Sequence, residues 1–148
     1  MKKTERFLAE EADKKQLRGL LGQFATGVTV VTTTGQDGRK VGMTANSFTS
    51  VSLEPPLILW NIAKTATNLD DFRECEHFAI NILNDQQEQT SNHFAKSAAD
   101  KFNSIDQVED VLGIPVFLMA FGMIGNTTFP TSGILLTSIF SLSDTCSI

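Results

Sequence analysis

The sequence predicts a mainly β domain with flanking helices, an α+β arrangement, and three observations carry that expectation. Residues 28–34, V-T-V-V-T-T-T, form a run of β-branched residues that leads through G-Q-D-G into a second strand-like run ending near Ala45. Residues 57–62, L-I-L-W-N-I, are a largely apolar run of strand length, and H-F-A-I-N-I-L at residues 77–83 sets Phe78, Ile80 and Ile82 against smaller or polar neighbours. The 148 residues suit one domain with a real core and are too few for two ordinary ones.

Taken in order, residues 1–12 read as a polar lead-in. Leu17, Leu20, Leu21 and Phe24 then recur at helical spacing behind Asp13, a possible N-cap. The spacing predicts an amphipathic helix over 13–24, ended by Gly27, whose apolar stripe meets the core or a second subunit. The glycines of G-Q-D-G tolerate a turn and its Asp can bond the local backbone, so the strands on either side form an antiparallel hairpin. After a polar loop, Pro55 and Pro56 remove two backbone donors and delay the next ladder until Leu57. Thr67 is placed to cap a helix beginning at Asn68 and ending near Glu76, with Asp70 in its first turn. The strand at 77–83 is expected to bury one face. A polar helix from Asp85 to Phe94 and a loop holding Asp100, Lys101 and Phe102 follow.

From Val111 the character of the chain changes. No charged residue occurs until Asp144, whereas about a quarter of the preceding residues are charged. Asn126, Pro130 and several Gly, Ser and Thr residues interrupt the stretch, so it lacks the ~20 apolar residues of a membrane span. Neither strand nor helix period persists, and it reads as sequence not selected to fold in this place.

Composition excludes several classes. The net charge is −5 with basic residues scattered among acids, which disfavours nucleic-acid binding and a basic membrane-surface helix. The first residues are charged and lack an apolar signal core. Cys75 and Cys146 are far apart, which suits a reducing cytoplasm better than a disulfide framework. His77 and His93 are the only histidines and fall in different elements, so no metal site or Ser-His-Asp relay is expected. No catalytic acid or base stands out, and the common nucleotide and metalloprotease motifs are missing.

Three stretches remain as candidate binding pieces. T-A-N-S-F-T-S-V-S at 44–52 offers the Asn46 amide, the hydroxyls of Ser47, Ser50 and Ser52, and close backbone approach at Ala45; by itself it is also an ordinary polar strand-to-loop transition. K-T-A-T at 64–67 puts Lys64 at a helix start, where free amides attract an anion such as phosphate; a plain capped helix explains it as well. F-A-K at 94–96 with D-K-F at 100–102 sets two aromatics beside lysines, able to cover a ring system or to serve as core phenylalanines with surface lysines.

Together, F-A-T-G-V-T-V-V-T-T at 24–33, V-G-M-T-A-N-S-F-T-S-V-S-L-E-P-P-L at 41–57, K-T-A-T, H-F-A-I-N-I-L and F-A-K with D-K-F resemble the flavin reductase-like family, the reductase components of two-component flavin-dependent monooxygenases. The likeness covers roughly residues 17–117 in the family's order. It implies an antiparallel Greek-key split β-barrel with flanking helices over 13–117, a homodimer, FMN or FAD as cofactor, NADH or NADPH as co-substrate, and a partner monooxygenase that takes the reduced flavin. It also implies that Thr44, Ala45, Asn46 and Ser47 line the isoalloxazine, that Ser50, Val51 and Ser52 touch the ring edge or ribityl chain, and that Lys64, Thr65 and Thr67 hold the phosphate. Phe94, Lys101 and Phe102 would lie near the cofactor or nicotinamide pocket. The flavin accepts the hydride, so a protein that stacks and orients two rings needs no catalytic triad.

After G-I-P-V-F at 113–117 the family continues with strands carrying a G-D-H segment, whereas residues 118–148 contain no His. With the charge-free run, this leads to the expectation of a frameshift near Phe117, an atypical tail over 118–148, and a barrel incomplete at its C-terminal side with open edges. The alternative function is a degenerate, non-catalytic flavin-binding protein.

Overall fold

The computed structural model describes residues 13–54, 56–98, 100–105, 108–111, 113–117, 120–126 and 136–139. The polar lead-in over 1–12, and most of the 118–148 segment including Cys146, lie outside them. The chain folds as a mostly antiparallel β structure with three short helices. Strands β1 (Thr29–Thr34), β2 (Lys40–Ala45), β3 (Thr49–Leu53), β4 (Pro56–Trp60), β5 (His77–Ile82), β8 (Phe121–Asn126) and β9 (Leu136–Ile139) form one sheet in the order β2-β1-β5-β8-β9-β4-β3. A hairpin of β6 (Val108–Val111) and β7 (Ile114–Phe117) forms a second. Among the described residues the large sheet does not close, since β2 and β3 stand at opposite edges.

The expected first hairpin is present, pairing Thr29 with Ala45 through to Thr34 with Lys40. Its turn closes as the residue types dictate: Gly38 adopts φ 78° and the Arg39 amide donates to Asp37 Oδ1 at 3.0 Å. β1 is buried on both faces because a separate core cluster packs on each side of it. Val31 joins a core with Val41, Ile58, Trp60, Phe72, Phe78 and Ile80, whereas Val30 packs on the other face with Phe94 and Phe117. Helix α2 (Leu69–Glu74) inserts Phe72 into the first core, its ring 5.2 Å edge-on from Trp60, and a fully buried Phe of this kind contributes roughly 1.5–3 kcal/mol of transfer free energy. Helix α3 (Glu88–Ala95), preceded by a 3₁₀ turn at Asp85–Gln87, brings Phe94 to the second core.

Several expectations are corrected. The first helix, α1 (Lys14–Leu21), has the Asp13 capping box but stops at Gly22, with the turn bonds of Gln23 and Phe24 following. None of its residues is buried and Phe24 is 77% exposed, so among the described residues its stripe joins neither core cluster. Residues 49–53, read as loop, form β3, because pairing with β4 satisfies their backbone; a bulge sits between Ser50 and Ser52. The N-cap of α2 is Asn68 and not Thr67, and it makes no side-chain capping bond. β5 buries both faces: Phe78 and Ile80 enter one core, and Ala79 and Asn81 are fully buried on the other side. Within the segment read as unfit to fold, Phe121–Asn126 pairs residue for residue with β5, and Leu136–Ile139 pairs with β4.

Asn81 explains how a polar residue can occupy a buried position. Its Nδ2 donates to the Val30 carbonyl at 2.9 Å and to Thr32 Oγ1 at 3.1 Å, and its Oδ1 accepts from the Phe117 amide at 2.9 Å. The Thr32 and Thr34 hydroxyls donate to the carbonyls of Pro115 and Gly113, each at 2.5 Å. The β6–β7 hairpin is therefore stitched to the sheet by polar side chains as well as by Phe117. No described helix is long and apolar enough to cross a membrane.

Candidate functional site

The first candidate stretch runs off the end of edge strand β2 and returns as β3. Thr44 donates its hydroxyl to the Ser91 carbonyl of α3 at 2.6 Å, and buried Ala45 accepts from Thr29 Oγ1 at 2.7 Å, so the strand end is tied on both sides. Asn46 is exposed and Ser47 half-buried. The Ser47 hydroxyl accepts from the Asn61 amide at 3.0 Å and donates to the Asn61 carbonyl at 3.3 Å. This double contact fastens the loop after β2 to the chain leaving β4, three residues before Lys64. Beyond it Ser50 and Val51 are exposed on β3, and Ser52 is half-buried.

Lys64, Thr65 and Thr67 are exposed in the turns between β4 and α2, where the amides of Ala66 and Leu69 close onto the carbonyls of Ala63 and Ala66. They precede the helix and are not its first residues. Thr67 does share a cleft with Lys101, so the second and third stretches converge there.

The third stretch divides into core and cleft. Phe94 is 1% exposed and packs edge-on against Phe102 and Phe117, with centroids at 5.0 and 5.3 Å. Phe102 stacks on Phe117 at 6.4 Å and stays half-buried. Lys101 is no loose surface lysine. Its Nζ donates to the Gly42 carbonyl at 3.1 Å and the Phe94 carbonyl at 2.9 Å, and lies 5.9 Å from the centre of the Phe94 ring. Burial pushes its pKa below the ordinary value, because desolvation disfavours the ammonium. His93 holds the loop from the other side, its Nε2 2.7 Å from the Lys101 carbonyl oxygen.

The cleft itself encloses about 290 Å³ and is lined by Arg39, Lys40, Val41 and Gly42 of the first hairpin, by Thr67 and Asn68, and by Ser97, Ala98 and Lys101. Three cations meet in it although the chain is acidic overall. In the sequence Arg39 and Lys40 read as the opening residues of the second strand, and nothing local marks them as facing residues sixty positions away. Asp71 fixes Arg39, accepting from Nη2 at 3.1 and 3.0 Å through its two oxygens. Among the described residues no group of three or more His, Cys, Asp or Glu is placed to hold a metal.

Residues 21–127 match the flavin reductase like domain, well over half of the chain. The chain belongs to that family. Among its relatives, the reductase subunit Stc3 of stachydrine N-demethylase from Rhizobium meliloti (strain 1021) is 47% identical over 109 residues, which are 74% of this chain and 47% of that protein. The FMN reductase (NADH) SmoA of Agrobacterium fabrum (strain C58 / ATCC 33970) is 42% identical over 110 residues, 74% of this chain and 62% of that one. A solved structure, the NADH:FAD oxidoreductase SgcE6 of Streptomyces globisporus C-1027 in complex with NAD and FAD fragments, superposes with a TM-score of 0.82 at 33% identity, covering 93% of this chain and 84% of that chain. The chain spans less than half the length of the first curated relatives it matches, between 28% and 47% of them. Within the flavin reductase like match fall all three candidate stretches and both extra cleft cations, and the match runs past Phe117 to the end of β8.

Proposed function

We propose that this chain is an NAD(P)H-dependent flavin reductase, which moves a hydride from NADH or NADPH to FMN or FAD and supplies the reduced flavin to a partner monooxygenase. The observation that carries the reading is the Ser47–Asn61 double contact, which fastens T-A-N-S near the K-T-A-T turn. The relatives named as reductases support it.

A flavin nucleotide presents a flat ring with a polar rim and a phosphate-bearing tail, and the donor set fits both ends. The Thr44 and Ser47 hydroxyls are engaged by protein carbonyls and hold the loop in shape. Asn46, Ser50 and Val51 are exposed for the ring edge and ribityl chain, with Ala45 and Ser52 beside them, and Lys64, Thr65 and Thr67 are exposed for the phosphate. Phe94 and Phe102 form the aromatic backing that holds Lys101 at the cleft. When bound, the flavin supplies the hydride acceptor; the protein binds, orients and excludes water.

We read the fold as the family's Greek-key split barrel, supported by the antiparallel strand order and the superposition on SgcE6. A homodimer is supported by the exposed Leu20, Leu21 and Phe24 and by Val51 and Leu53 on an edge strand. A chain with only two, widely separated cysteines suits a cytoplasmic setting. The frameshift reading of the tail rests on the run without charge from Val111 to Ser143 and on the lack of His over 118–148. Translating the gene's other two frames beyond the Phe117 codon tests it, and finding no family-like strands in either ends it.

Purified full chain that is yellow and oxidises NADH with added FMN or FAD is the expected result. Yellow protein without turnover favours the non-catalytic flavin binder, and folded protein that binds neither flavin overturns both readings.

A further inference from the structure

We propose that the cleft between the start of β2, residues 67–68 and residues 97–101 is a binding site for the phosphoryl or diphosphoryl group of a nucleotide, with Arg39 and Lys40 as affinity-determining residues beside Lys101. The inference rests on the nucleotide-binding reading above for the ligand's identity.

Size and charge both point to a fragment of a ligand and an anionic one. Pockets that take a whole small molecule enclose roughly 300–1,000 Å³. This cleft, at about 290 Å³, lies at the low end and suits the charged middle of a dinucleotide better than its rings. Its lining carries three cations and no acid. Each cation is held in a different way. Asp71 accepts twice from Arg39 Nη2, with Asp37 3.7 Å from Nε, which holds the guanidinium in place and lowers the ordering cost of binding a phosphoryl oxygen. Lys101 commits two of its three N–H donors to the Gly42 and Phe94 carbonyls, leaving the third for a ligand. Lys40 adds an exposed charge at the rim. Thr67, Asn68 and Ser97 contribute uncharged donors on the opposite wall.

Several protein and ligand arms separate this proposal from the reductase reading. Binding of inorganic pyrophosphate and of ADP to the full chain is followed by titration calorimetry, and binding of FMN and of riboflavin by flavin fluorescence. Arg39→Gln, Lys40→Gln and the double variant are compared with wild type, with melting temperatures as the folding control; Lys40→Gln leaves the Arg39–Asp71 pair intact. The expected result is roughly tenfold weaker pyrophosphate and ADP binding for each single variant, as for loss of one charge-assisted hydrogen bond, with riboflavin unaffected. Competition identifies the source: displacement of pyrophosphate by FMN or FAD assigns the site to the flavin, and displacement by NADPH assigns it to the nicotinamide nucleotide. Wild type that binds no pyrophosphate and no ADP, or folded Lys40→Gln and double variants that bind pyrophosphate and ADP as tightly as wild type, overturns the site and leaves the reductase reading standing. Pyrophosphate binding that needs Arg39 and Lys40 in a chain that takes up no flavin upholds the site and removes the reductase reading.

Discussion

The Asn81 side-chain oxygen accepts the Phe117 amide proton at 2.9 Å in a fully buried position, joining the central strand β5 to the hairpin that covers it. The same carboxamide donates to Val30 and Thr32, so one side chain spans three strands. Asn81→Leu removes every one of these bonds and leaves the Phe117 amide buried and unpaired, which costs ~1–3 kcal/mol by itself. With the lost donor bonds the expected destabilisation is about 2–4 kcal/mol, read as a lower urea midpoint. Asn81→Asp should fare no better, because it turns an acceptor toward the Val30 carbonyl. A Leu variant within 0.5 kcal/mol of wild type, by the usual scatter of surface substitutions, would show the network to be incidental.

Asn81 also marks where the sequence stops being legible. The first hairpin, the strand at 77–83 and the α2 region can be read locally, since β-branched runs, a Gly-rich turn and an acidic first turn act within a few residues. A polar residue in an alternating strand reads as solvent-facing, and only a second layer, made by α3 and a hairpin over thirty residues on, makes Asn81 a core residue. β3 was hidden for a related reason. Its two serines have little strand signal of their own, and pairing with β4 decides them. The T-A-N-S and K-T-A-T stretches could be found as motifs, whereas Arg39 and Lys40 enter the cleft through hairpin geometry alone.

Gly42 shows the same dependence on distant packing. A Cβ there would lie 2.7 and 2.8 Å from Phe94 Cε1 and Cδ1 and 3.1 Å from Phe102 Cζ. Phe94 has no room to yield, because Phe102, Phe117 and His93 surround its ring. Gly42→Ala should therefore destabilise by about 1–3 kcal/mol, the usual cost of overpacking. Gly19 provides the control: nothing lies within 4 Å of its added Cβ, and in helix α1 Gly19→Ala should stabilise by up to ~1 kcal/mol. Thermal unfolding of the two variants should move in opposite directions.

Lys101 makes stability depend on pH with a definite sign. Its pKa is lower in the folded chain than the ordinary 10.5, so between the folded value and 10.5 the unfolded chain binds more protons. Stability contributed by this group rises with pH through that window, as the cost of a desolvated ammonium is relieved, and that cost is fully present below it. Subtracting the denaturation curve of Lys101→Met from that of wild type at each pH isolates the effect from other titrating groups. The difference should shift in favour of wild type as pH rises toward 10.5. A difference that is flat, or that falls, contradicts desolvation as the dominant influence on this lysine.

Ser47 provides the most direct test of how the loop serves the proposed flavin site. Its hydroxyl is the partner of both the Asn61 amide and the Asn61 carbonyl, and it does not need to touch the cofactor to matter. Ser47→Ala removes both bonds in a partly exposed place, where each contributes about 0.5–1.5 kcal/mol, so the fold should survive with a modestly lower melting temperature. Flavin affinity should fall by several-fold, because loosening residues 46–48 adds ordering cost to binding. Ser47→Thr keeps the hydroxyl and should restore most of the affinity if its methyl is accommodated. The decisive comparison is with Asn46→Ala, which leaves the Ser47–Asn61 contact in place. If Ser47→Ala weakens FMN binding and also raises protease cleavage between residues 46 and 49, while Asn46→Ala weakens binding alone, then Ser47 acts by holding the loop and Asn46 by meeting the ligand. Equal cleavage in all three proteins would remove the positioning role from Ser47.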